Sequence, residues 1–225
     1  TSNRVINTTG GQGGAIDIVG NNATIINSIF TDNHAYNGGA IFGGENSGNT
    51  NITNVTFSKN GATLDGGAVL IKGYAVTFND THFYSNTASG SGGAIYVGGN
   101  GTTNVVYYSE FKDNQAGDHG GAINWLASAG DIFYSNFTGN TAVYGGALYL
   151  NGVSSNSRIF NVYFKENRAT KNGGAIDCNA SMMGLDNTVF ISNYAGEYGA
   201  ALCREENATG GFGENNNFTA NHADI

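Results

Sequence analysis

The side chains whose types and spacing could do chemistry in this 225-residue chain are carboxylates. Two pairs stand out, Asp17 with Asp177 and Asp113 with Glu166. Two carboxyl groups about 5 to 10 Å apart, one donating a proton and the other acting as base or nucleophile, can hydrolyse a glycosidic bond. Whether either pair could meet this condition depends on the elements that position the four residues.

The elements are set by two short words that alternate along the whole chain. One is Phe-x-x-Asn-x-Ala, which recurs every 26 to 28 residues and starts at Phe30, Phe57, Phe83, Phe111, Phe137, Phe164, Phe190 and Phe218. The other is Gly-Gly-Ala plus an aliphatic residue, at Gly13, Gly38, Gly66, Gly92, Gly120, Gly145 and Gly173, with a degenerate copy at Gly199. Such a fixed period indicates a stacked repeat architecture.

Residues after Gly-Gly-Ala alternate between apolar and mixed positions, which is typical of a strand with one inward face. A second apolar column lies five residues before each Phe and indicates a second strand. A unit of about 27 residues with short strands and no helix is one coil of a parallel β-helix. The sequence therefore predicts an all-β, right-handed parallel β-helix of about eight coils, forming a single domain over residues 1–225.

The Asn of the first word is predicted to lie at one bend of every coil. Stacked amides can hydrogen-bond along the axis because each has a donor and an acceptor. A structural ladder is expected at Asn33, Asn60, Asn86, Asn114, Asn140, Asn167, Asn193 and Asn221. A second, partial ladder lies three residues before Phe and is interrupted by Asp80, Tyr108 and Tyr134.

This coil separates the carboxylates. Asp17 and Asp177 would lie six coils apart, about 29 Å, which is too far to act together. Asp113 and Glu166 would lie two coils apart across Gly139, about 10 Å, a separation that suits an inverting hydrolase. No basic residue or third carboxylate accompanies them, so surface acids are the favoured interpretation and no catalytic residue is predicted.

Cys178 and Cys203 lie one coil apart. Cys178 falls on an inward position, whereas Cys203 aligns with outward Asp177, so a disulfide would require a one-residue slip in the last coil. Arg204, a charge at an inward position, hints at such a slip or at a frayed end, and the candidate disulfide stays open. The four histidines are His34, His82, His119 and His222. Neither they nor the cysteines have the spacing of metal ligands, so no metal and no cofactor are predicted.

Two outward features are candidates for contact with other molecules. An interrupted apolar stripe follows the Gly-Gly-Ala word at Phe42, Leu70, Tyr96 and Tyr149, and it predicts either a binding face or packing beneath a loop or a neighbouring subunit. Asn-x-Ser/Thr sequons in loops are candidate glycosylation sites, chiefly Asn100 and Asn207.

Composition narrows the function classes. The chain has 36 Gly and no Pro, and its formal net charge is −8. Nucleic acids and anionic membrane surfaces would be repelled by this charge. No apolar run approaches the roughly 20 residues that span a bilayer as a helix, so no membrane span is expected.

The paired words carry a family resemblance. Gly38-Gly39-Ala40-Ile41 and the Phe30-x-x-Asn33 word before it resemble the repeats of chlamydial polymorphic outer membrane proteins. Their Asn- and Thr-rich character is also similar to adhesin-like surface proteins of methanogenic archaea. The resemblance covers the whole chain and implies an extracellular β-helical passenger or stalk used for adhesion.

We therefore expect a non-enzymatic, adhesin-like protein at the cell surface. Its partner would be a cell-surface glycan or protein. The alternatives are a filament subunit whose copies stack head to tail and, less favoured, an enzyme acting on polysaccharides.

Overall fold

A computed structural model describes residues 10–99, 104–126, 129–152, 157–179, 184–205 and 213–224. All regular structure in this part of the chain is β-strand, and the strands pair in parallel into three sheets. Corresponding strands of successive repeats are neighbours in each sheet, so the chain winds as a parallel β-solenoid. Within the same residues, no helix is long and apolar enough to cross a membrane.

The first sheet follows the Gly-Gly-Ala words. Its eight strands are Ile16–Ile18, Ile41–Gly43, Val69–Ile71, Ile95–Val97, Ile123–Trp125, Leu148–Leu150, Ile176–Cys178 and Leu202–Arg204. Eight layers are joined by seven turns of the chain, which confirms the predicted architecture of about eight coils.

The second sheet runs into and through the Phe words. Its twelve strands are Thr24–Thr31, Asn51–Ser58, Thr77–Tyr84, Asn104–Tyr107, Glu110–Lys112, Gly130–Phe133, Asn136–Thr138, Arg158–Phe160, Tyr163–Lys165, Gly184–Asp186, Val189–Ile191 and Asn217–Thr219. The third sheet has two-residue strands at His34–Ala35, Gly61–Ala62, Thr87–Ala88, Gln115–Ala116, Thr141–Ala142, Arg168–Ala169, Tyr194–Ala195 and His222–Ala223.

Inward residues of successive layers stack on their own kind. The Phe rings form one column with centroids 4.6 to 5.0 Å apart and interplanar angles of 2 to 16°. Aliphatic columns from the first and second sheets surround it, and Trp125 is buried among them. Burial of these side chains is the main stabilising term, because no single coil can bury its own apolar face.

The predicted Asn ladder is present beside the Phe column. Each Nδ2 donates to the Oδ1 of the next layer's Asn at 2.8 to 3.0 Å. From Asn60 onward each Nδ2 also donates to a Phe carbonyl of the preceding layer, as Asn114 does to Phe83. Satisfied on both sides, the buried amides hold the layers in register.

The Gly-Gly pair makes the corner before the first sheet. Its first glycine has a φ of 57 to 69° in every layer, which is the left-handed region. A Cβ on the second glycine, such as Gly39, would collide with the carbonyl oxygen of the matching glycine one layer on. The corner therefore leaves no room for a side chain and fixes where each strand of the first sheet begins.

Candidate binding surface

The apolar stripe predicted as a binding face is largely covered. Leu70 and Tyr149 are only 1% and 7% exposed, and Phe42 and Tyr96 are half-buried. The ring of His119, next to the Gly-Gly corner, lies 4.1 Å from that of Tyr149. Of the two alternatives predicted for the stripe, its burial favours packing within the protein over an exposed binding face, and His119 beside a corner covers Tyr149.

Asp177 lies in the same column and is the least expected residue there. The strand register places it between Tyr149 and Cys203, and its side chain is fully buried. Neither carboxylate oxygen makes a hydrogen bond of ordinary geometry to the described residues, and only the nearby backbone N–H of Cys178 acts to lower the pKa. Burial, reinforced by the nearby charge of Glu205, raises the pKa of Asp177 to about 7.

The strand register also determines whether the two cysteines can form a disulfide. Cys203 pairs with Asp177 and Arg204 with Cys178, so the last layer has not slipped. Cys178 stays inward and Cys203 outward, and both are thiols that form no disulfide. The candidate disulfide was wrong for this structure. Burial, aided by the charge of Asp177, raises the pKa of the Cys203 thiol to about 11.

The candidate acids of the first pair lie far apart, whereas Asp113 and Glu166 occupy the same bend two layers apart, on either side of Gly139. Asp17 is exposed, six layers from Asp177. Asp113 lines an open cavity of about 390 Å³, whereas Glu166 is not among the lining residues and instead pairs with Lys165 at 3.3 Å. The described residues contain no group of three or more His, Cys, Asp or Glu side chains that could hold a metal ion.

Exposed aromatic rings lie instead on the outer face of the second sheet. We call the cluster of Tyr107, Tyr108, Phe133, Tyr134 and Phe160 the aromatic patch. The rings of Tyr108 and Tyr134 stack at 5.1 Å, and Tyr107 and Phe160 meet them edge-on. Tyr108 is 57% and Tyr134 47% exposed, although each carries a large apolar ring. The patch thus offers rigid aromatic surface to solvent.

The backbone at these two tyrosines is unusual. All eight layers have a positive φ at this bend, between 48 and 59°, and most carry Asn or Asp there: Asn27, Asn54, Asp80, Asn161, Asn187 and Asn215. Short polar side chains tolerate this conformation, whereas a bulky residue in it costs about 1 kcal/mol. Tyr108 and Tyr134 therefore occupy positions where the fold itself favours Asn.

Sequence reasoning missed the aromatic patch, although the signal was present. In the sequence, Tyr108 and Tyr134 stand out only as interruptions of the second Asn ladder. In the first two layers that ladder forms as expected, since Asn54 Nδ2 donates to Asn27 Oδ1 at 2.7 Å. Residues that break a structural column without a structural benefit are candidates for function.

A polar cluster adjoins the patch at the neighbouring layer. His82 lies 3.8 Å from both Asp80 and Glu110, through Nε2 and Nδ1 respectively. The Tyr84 hydroxyl donates to Glu110 Oε2 at 2.6 Å; burial and this bond raise the pKa of Tyr84 to about 12. The cavity beside this cluster is lined by Tyr84, Ser85, Glu110, Lys112 and Asp113.

The two candidate glycosylation sites, Asn100 and Asn207, lie outside the described residues. Glycosylation at either position stays a prediction.

Fold and surface together define a β-solenoid repeat protein that presents side chains along its flanks. Five segments match the family model of the Chlamydia polymorphic membrane protein repeat: residues 27–44, 54–72, 80–98, 134–151 and 161–179. The chain is thus similar to chlamydial surface-protein repeats, as its alternating words predict.

Two curated relatives agree with this match. The chain is 34% identical over 174 residues to "Probable autotransporter YfaL" of Escherichia coli K12, and this alignment covers 66% of the chain. It is 33% identical over 124 residues to "Probable outer membrane protein PmpA" of Chlamydia trachomatis serovar D, which covers 45% of the chain. The chain spans 13% of the length of each relative. No solved structure matches. The names of both relatives bear out the cell-surface location predicted from the repeat.

Proposed function

We propose that the chain is an adhesin-like, non-enzymatic part of a surface protein that attaches a cell to another cell or surface. The observation that carries the proposal is the aromatic patch. Interior columns hold the coil together, whereas Tyr108 and Tyr134 weaken it locally and are exposed on its flank. Exposed tyrosine is the residue type that most often anchors protein contacts.

Charge limits the kind of partner. With a formal net charge of −8 the chain repels nucleic acids and anionic membranes. A glycan or protein on a cell surface remains the partner class of this proposal. The relatives, one named an autotransporter and one an outer membrane protein, support a role outside the cell.

Attachment can be measured with beads coated with the purified chain and incubated with a panel of bacterial and host cells. Retention above that of beads coated with the urea-unfolded chain is expected, because only the folded coil assembles the patch. Equal retention by folded and unfolded chain on every cell type would contradict the proposal. Turnover of acidic polysaccharides by the chain, lost in Asp113→Asn, would favour an enzyme instead.

Head-to-tail stacking of copies is the alternative, and it has a separate readout. Negative-stain electron microscopy over a range of concentrations would show long filaments if stacking is the function. Single rods about 4 nm long, the length of eight layers spaced by about 4.8 Å, would favour the attachment role.

A further inference from the structure

We propose that Asp80, His82, Tyr108 and Glu110 form a seat for one uncharged pyranose ring of a surface glycan. We call these four residues the Tyr108 seat. The inference rests on the proposed attachment function and names the ligand of that surface.

The first argument is the open face of Tyr108. Its ring stacks on Tyr134 on one side only, at an interplanar angle of 13°. On the other side, the same position of the neighbouring layer is occupied by the much shorter Asp80. The step from tyrosine to aspartate leaves this side without a stacked ring, although the Tyr107 ring also meets Tyr108 edge-on, and Tyr108 is the more exposed of the stacked pair. A flat aromatic face next to a one-layer step fits the apolar C–H face of a sugar ring.

Hydrogen-bonding groups surround this step. Asp80 and Glu110 supply two carboxylates, and His82 lies between them at 3.8 Å from each. His82 Nδ1 is buried and makes no hydrogen bond to any described residue. One oxygen of Glu110 accepts from the Tyr84 hydroxyl, which holds the carboxylate in place. Acceptors and an imidazole around an aromatic face suit ring hydroxyls, which both donate and accept.

The charge of the seat selects among sugars. The carboxylates of Asp80 and Glu110 both lie close to His82, and Asp113 adds a third carboxylate in the adjoining cavity, whose lining contains one cation, Lys112. Uronic and sialic acids would be repelled at this short range. An apolar peptide would offer no hydrogen-bond donors to the carboxylates of Asp80 and Glu110. An uncharged pyranose satisfies both the ring face and the polar groups.

The backbone gives independent support. Tyr108 has a φ of 52°, in a column where five of the eight layers carry Asn. Asn would suit that backbone better, because its short polar side chain tolerates the left-handed conformation. A tyrosine held there against the local preference is explained if its ring contacts a ligand.

The same fact provides a test variant that should fold. Tyr108→Asn restores the residue that the column favours and removes the ring. Tyr198→Asn is the matched control, because Tyr198 is also exposed, at 68%, but lies next to Gly199 at the corner of another layer, far from the seat. Both variants and the wild-type chain would be tested by isothermal titration calorimetry against dextran, mannan and chitooligosaccharides, with polygalacturonate as the acidic comparison.

We expect the wild-type chain to bind at least one uncharged glycan and not polygalacturonate. Tyr108→Asn should weaken that binding at least about tenfold, as removal of an anchoring tyrosine does, while Tyr198→Asn stays within about twofold. Binding of no uncharged glycan, binding of polygalacturonate alone, or equal affinity in Tyr108→Asn would overturn the inference.

The bead assay distinguishes a failure of the Tyr108 seat from a failure of the proposed attachment function. If beads carrying wild-type chain retain cells and Tyr108→Asn beads retain them equally, the seat is wrong and the attachment function stands. Retention that soluble peptide, but no uncharged glycan, abolishes would also overturn the seat and identify a protein partner. If wild-type beads retain no cells, the proposed function itself fails.

Discussion

Replacing Asp177 by Asn is expected to stabilise the protein at neutral and basic pH. The carboxyl group is fully buried, and its charged form is therefore disfavoured in the native state, since the backbone N–H of Cys178 offsets only part of the burial cost. Asn has nearly the same shape and carries no charge. Its amide can use the space beside Tyr149 and Cys203 without an ionisation cost.

The size of the effect follows from the difference between the two states. The pKa is about 7 in the folded chain, against 3.8 for an ordinary Asp. Three pKa units correspond to about 4 kcal/mol. Between these two values the native state binds more protons than the unfolded state, so its stability falls as pH rises. The destabilisation caused by ionising the buried Asp177 carboxyl is therefore absent below about pH 4 and reaches its full size above about pH 7.

Urea unfolding, followed by the fluorescence of the single, buried Trp125, measures the free energy of unfolding from pH 4 to pH 9. The free energy of unfolding of Asp177→Asn minus that of the wild-type chain should rise by about 4 kcal/mol across this pH range. Asp17→Asn is the control, because Asp17 has the same position in its layer but is exposed. A gain of Asp177→Asn that does not change with pH would refute the assignment of a buried, protonated carboxyl.

Three further outcomes can be checked with the same protein. Asn114→Ala removes a buried amide with bonds to both neighbouring layers and should cost about 4 kcal/mol of unfolding free energy in urea, against less than about 1 for exposed Asn51→Ala. Phe111→Ala should cost about 3 to 5 kcal/mol by the same assay; an equal loss in Phe218→Ala, which is stacked but half-exposed, would contradict burial as the cause. Iodoacetamide should label Cys203 about 100-fold more slowly at pH 8 than an ordinary thiol, and the unfolded, unreduced chain should accept label on both cysteines, which a disulfide would prevent.

Much of the fold could be predicted because each repeat states the same pattern. Eight Phe and eight Asn at a nearly constant spacing leave one way to bury the rings and pair the amides, and the structure contains both columns. The Gly-Gly words marked the corners for the same reason, since a side chain there would meet the backbone of the next layer. In such a fold each repeat contacts only its neighbours, so the pattern of one repeat predicts the contacts of all of them.

The binding surface could not be predicted in the same way. Alternation assigned Leu70, Tyr149 and Asp177 correctly to the outward face, but outward did not mean exposed. Side chains beside the corners, such as His119, cover that sheet. Residues of neighbouring repeats decide this cover, and their types vary from layer to layer.

The sequence by itself determined the coil, its layers and the residues inside it, because a period of about 27 residues repeats the same burial pattern in every layer. Only the tertiary structure decided that Asp177 is buried and that Tyr108 presents an open ring face at a left-handed bend. These properties depend on which side chains of adjacent layers meet at one place. A repeat pattern specifies what the layers share, whereas function on this surface depends on where two layers differ.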